Sequence, residues 1–101
     1  MSELRHPMTS FATGEVSGSA TAKVLPTIPG SMIWIKAVSS NAGDVYLGTS
    51  TVTVVNGTTD ITSGWELAAG EQIGPLPLAN LNLLYIICDN AGDDIVYIVM
   101  A

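Results

Sequence analysis

From residue 20 onward, apolar and polar positions fall into short runs divided by turn residues. Val, Ile, Leu, Tyr and Thr dominate the runs, while Gly, Pro, Asn and Asp fill the breaks, which is the rhythm of extended strands. The predicted strands are residues 20–25, 32–39, 44–48, 51–55, 61–67, 71–76, 83–89 and 94–100, with 61–67 the least marked. Asn56-Gly57 marks a tight turn after 51–55. Pro75 and Pro77 cannot donate to a ladder, so the 71–76 run belongs at a sheet edge. No run has the length and 3.6-residue period of a helix, and "WELAAGE" is too short to nucleate one.

The tetrad Asn-Ala-Gly-Asp occurs at Asn41 and again at Asn90, each time between two of these runs. Asn and Gly tolerate positive φ and Asp bonds its local backbone, so the tetrad suits a tight hairpin loop. Superposing the copies sets Ile35, Ala37 and Val38 on Leu84, Ile86 and Ile87. Either two similar hairpins form equivalent corners of a two-sheet fold, or the same turn chemistry arose twice.

Several runs do not alternate. In 83–88, Leu83, Tyr85 and Ile87 point one way and Leu84, Ile86 and Cys88 the other; 32–38 and 95–100 are likewise apolar on both faces. An antiparallel pair of sheets has one inner layer, so the second faces need cover from a loop, an arm or another copy of the chain. Hiding about 800 Å² on each protomer, at roughly 25 cal/mol per Å², would supply many kcal/mol before association costs. Self-association is the expectation; central strands flanked by long loops are the alternative.

Residues 1–19 are small, polar and without period, and read as an extended N-terminal arm preceding a domain at 20–101. Composition sharpens the picture. The chain is 101 residues long, 48% apolar and only 12% charged; globular domains usually carry about 25% charged residues. Few ions would need desolvating in an extensive contact. A net charge of −6 with only Arg5, Lys23 and Lys36 as strong cations argues against nucleic acid. The longest apolar runs are too short to cross a bilayer, and the N-terminal residues lack the apolar stretch of a secretory signal, so a cytoplasmic product with no membrane partner is expected.

Chemistry is scarce. His6, the one histidine, stands in the arm beside Pro7, a poor place for a catalytic base. Cys88 lies in an apolar run and reads as an inert buried thiol. Asp89, Asp93 and Asp94 could offer oxygens to calcium, but their spacing is not that of an EF-hand loop and Asp is common in turns. Glu66 and Glu71 are the one carboxylate pair to weigh for glycoside chemistry. No phosphate-binding loop or dinucleotide motif is present, and neither an enzyme nor a cofactor is expected. Trp34 and Trp65 could stack on sugar rings, cap a core or anchor a subunit contact.

The runs "VYLGTSTVTVVNGT", "LAAGEQIGPLPLANLNLLYII" and "AGDDIVYIVM" resemble small virion proteins of tailed bacteriophages, the capsid decoration (cement) proteins and head-fibre bases. The resembling slots are residues 43–48, 67–73, 81–86 and 91–98. The resemblance implies an all-β antiparallel β-sandwich or jelly-roll-like barrel, a homotrimer docked on the outer surface of the head, and the major capsid protein as partner. It brings no catalytic residues. On that reading Pro7, Met8 and Phe11 would strap across neighbours, with Trp34, Trp65, Tyr85 and Tyr97 at oligomer or capsid contacts. The alternative is a carbohydrate- or receptor-binding module of a phage fibre or tail, with a surface glycan held at Trp34, Trp65 and the acidic turn.

Overall fold

β-Branched and aromatic residues hold the backbone extended, and the turn clusters between them decide where each strand stops. The structure, a computed structural model, describes residues 9–101. Its strands are β1 (Phe11–Ser17), β2 (Lys23–Val24), β3 (Met32–Ala37), β4 (Val45–Gly48), β5 (Trp65–Leu67), β6 (Gln72–Leu76), β7 (Tyr85–Cys88) and β8 (Asp94–Met100). One helical turn, a 3₁₀ segment at Leu81–Leu83, is capped by the Asn80 side chain, which accepts from the Asn82 N–H. Two antiparallel sheets result, ordered β1-β8-β3-β6 and β2-β7-β4-β5.

The pairing is nested. β1 pairs with β8, β2 with β7, β3 with β6 and β4 with β5, and the ladders β3–β8 and β4–β7 join these pairs into sheets. Period-2 alternation then points one face of each sheet inward. Ile33, Ile35 and Ala37 of β3 and Ile95 and Val99 of β8 meet Val45, Leu47, Leu67, Ile86 and Cys88 from the other sheet, with Leu25 and Leu81, in one buried cluster. Each such Ile or Leu contributes roughly 1.5–3 kcal/mol by leaving water. β6 is an edge strand, as Pro75 within it requires.

The two Asn-Ala-Gly-Asp corners differ from the hairpins expected of them. Each joins strands of different sheets: the first carries the chain from β3 to β4, and the second carries it back from β7 to β8. Turn chemistry marks a bend, not the identity of the paired strands. The corners clasp one another. The Asp93 carboxylate accepts from the Ala42 and Gly43 N–H groups at 3.0 and 2.9 Å. The Asn41 amide donates to the Asp94 carbonyl (2.8 Å), and its oxygen accepts from the Asp94 N–H (2.9 Å). Asp89 accepts from the Asp44 N–H (3.2 Å) and from the Tyr46 hydroxyl (3.0 Å). The same four letters are used differently: Gly92 needs its positive φ of 95°, whereas Gly43 leaves room for the Asn90 amide.

Three further expectations change. Residues 11–17, read as arm, form β1 and pair with β8 along the whole strand, from Phe11 opposite Met100 to Ser17 opposite Asp94. Residues 1–8, with Pro7, Met8 and His6, lie outside the described residues. The 51–55 run is not a strand. The Val52 N–H donates to the Thr49 carbonyl (2.9 Å), closing a turn, and only Thr53 makes an isolated bridge, to Ser63. The strand that pairs with β4 is instead the weakly marked Trp65–Leu67.

Candidate functional site

Each sheet has an outer face, and the two are treated differently. On the β2-β7-β4-β5 sheet, Tyr46 points outward yet is only 2% exposed. Its cover is the connection 49–64. Val52, 3% exposed, sits where side chains on Gly48 and Gly64 would stand, and Gly64 also presses on Tyr46. Glycine at both positions leaves the space into which the loop packs. Tyr46 and Val52 are buried outside the main cluster, so they form a small second core on the far side of the sheet. Burial first, and then Asp89, push the Tyr46 phenol above its ordinary pKa.

The β1-β8-β3-β6 sheet has no such cover among the described residues. Its outward positions are Phe11, Thr13, Glu15 and Ser17 on β1, Asp94, Val96, Ile98 and Met100 on β8, and Met32, Trp34 and Lys36 on β3. Phe11 is 66% and Ile98 36% exposed. The Trp34 indole lies against Gly74, where the β3–β6 register shifts. A shallow groove of about 300 Å³ runs between Trp34, Lys36 and Gln72 on one side and Val96 and Ile98 on the other.

Phe11 and Trp34, two of the residues expected at contacts, thus share one bare face. The others part company. Tyr97 turns inward, spreads over Gly14 and packs against the core. Tyr85 is half-buried on the outer face of the second sheet, opposite Val24 and Gly48. Trp65, 64% exposed, stands at the open edge between β5 and β6. There it shares a groove of about 500 Å³ with Glu66, Glu71 and Gln72. Sequence reasoning missed Met32, Val96, Ile98 and Met100 as members of the bare face. Their signal was the unbroken apolar text of 32–35 and 95–100, which does not say which parity meets the core.

The acidic groups have partners within the chain. Asp93 holds the corner, Asp89 holds Tyr46, and Asp94 accepts from the Ser17 hydroxyl at 2.7 Å. Those oxygens are spent on protein donors, and the calcium reading of this turn gains nothing from the geometry. A hydrogen bond and charge from Asp94 raise the Glu15 carboxyl above its usual pKa; Asp44 does the same to Glu66. Burial raises the Cys88 thiol, which points at the Asp93 carbonyl (3.8 Å). A protonated thiol is a weak nucleophile. Comparison with protein-family models, curated proteins and solved structures gives no match.

Proposed function

We propose that this protein is a structural, non-enzymatic component of a virus particle. It works as a homo-oligomer that docks on the outer surface of a bacteriophage head, contacts the major capsid protein and reinforces the shell. The carrying observation is the outer face of the β1-β8-β3-β6 sheet, where Phe11 and Ile98 are exposed beside half-buried Trp34 with no cover from the described residues, while on the opposite sheet the 49–64 loop buries Tyr46. Exposed apolar surface of this kind marks a contact with another macromolecule. The nested pairing supports the finer reading of the fold as a jelly-roll sandwich, an architecture that recurs in capsid and lectin domains. Fold-level kinship is analogy, so the face and not the topology carries the function. The test is direct: the chain should appear on the outside of purified particles by electron microscopy and mass spectrometry. Its absence from such particles would refute the virion reading.

A second reading, a glycan-binding module of a fibre or tail, draws on Trp65. An indole face beside carboxylate and amide groups can stack on a sugar ring while polar neighbours bind its hydroxyls. Binding on a glycan array that Trp65→Ala abolishes would favour this reading over the first, and silence across the array would remove it.

A further inference from the structure

The outer face of the first sheet has an internal order that says how two copies would meet; this inference rests on the self-association reading above. Register places its residues in rows across β1, β8 and β3: Phe11–Met100–Met32, Thr13–Ile98–Trp34 and Glu15–Val96–Lys36. β8 runs down the middle as an apolar column of Val96, Ile98 and Met100. The flanking columns carry opposite charges at the same level, Glu15 on β1 and Lys36 on β3. Neighbouring strands lie about 4.8 Å apart, so these two stand roughly 10 Å from each other across Val96.

We propose that two copies pack this face against itself about a twofold axis running along β8. Such an axis exchanges left and right across the strands but keeps the level along them. Lys36 of each copy then meets Glu15 of the other, giving two ion pairs from one operation. Val96, Ile98 and Met100 pack on their own counterparts, and Trp34 lies over Thr13. An axis across the strands would instead set β1 on β1 and β3 on β3, and Glu15 would gain no cation. The face is therefore self-complementary in the first arrangement and not in the second.

Sheet twist fits the same geometry. Aligned sheets cross at about 30°, which displaces a column one strand from the axis by roughly 2–3 Å, within reach of a lysine and a glutamate side chain. Asp94 stands near Glu15 on this face, while Lys23 is engaged on the Ser17 carbonyl (2.7 Å). Lys36 of the second copy brings positive charge to that acidic corner.

Charge reversal tests this. Sedimentation of the full chain at low ionic strength should show a monomer–dimer equilibrium. Glu15→Lys alone and Lys36→Glu alone should each weaken it roughly tenfold or more, and the double reversal should restore it. Both positions are exposed, so the variants should fold, which far-ultraviolet circular dichroism checks. A double variant no better than the singles, or a wild-type trimer, would overturn the twofold and leave self-association standing. A monomer at all concentrations up to millimolar would overturn both.

Discussion

Tyr46 and Ile98 both sit on strand faces that point away from the shared core, yet Tyr46 is sealed and Ile98 is open. The difference comes from the connections. β4 and β5 are joined by residues 49–64, long enough to fold back and drop Val52 onto Gly48 and Gly64. The corners that bracket β3 and β8 are short, and their bonds are spent on one another. A two-sided strand is thus not by itself a sign of assembly. It points to assembly where, as over Ile98, none of the described residues of the same chain reaches across it.

The sharpest way to break this contrast is to remove both side chains. Tyr46→Ala should cost about 3–5 kcal/mol in chemical denaturation, as for other large buried rings. If it costs no more than Ile98→Ser, the sealed face is not a core. Asp93→Ala comes next. It leaves the Ala42 and Gly43 N–H groups without their acceptor and should cost about 2 kcal/mol, with self-association per folded molecule unchanged. Ile98→Ser should cost the monomer less than about 1 kcal/mol and Trp34→Ala, which removes a half-buried ring packed on Gly74, somewhat more, but both should lower the sedimenting mass. Loss of stability with no change in mass would reassign the bare face to folding.

The smallest effect is electrostatic. The folded-state pKa of Glu15 is raised, chiefly by the hydrogen bond and charge of Asp94. Its contribution is therefore fully present below the unfolded-chain pKa and lost as pH rises through the folded one. In the dilute monomer, Glu15→Gln should leave stability at acidic pH unchanged and raise it slightly at neutral pH, read from denaturation midpoints. A drop at that dilution would mean that a cation of the same chain already pairs with Glu15.

Much of this was legible in the sequence. The apolar runs at 32–39, 44–48, 83–89 and 94–100 mark real strands because β-branched text with flanking turns has few other uses. Pro75 and Pro77 placed β6 at an edge for a simple reason: proline has no N–H to give. What failed depended on distant partners. Thr51–Val55 has strand composition, but the same residues serve a loop that buries a single valine. Phe11–Ser17 looked featureless because Thr13, Gly14 and Ser17 carry no apolar period, and the partner that makes it a strand lies at residues 94–100. At the candidate face, size singled out Phe11 and Trp34, but Phe11 read as part of an arm and not as a strand of the sheet. The Glu15–Lys36 relation was hidden, since only register sets those two residues on one row.

The nested pairing also bears on how the chain acquires its shape. Closing a loop costs entropy that grows with its length, so the innermost pair, β4 with β5, is the cheapest to form first. Once it is fixed, β3 finds β6 across a shortened gap, and so on outward until β1 docks on β8 last. Maturation then proceeds like a zipper drawn from the middle of the text toward its two ends, at the slow pace of distant contacts. Kinetic φ-values should be highest around Leu47 and Leu67 and near zero at Ala12 and Val16.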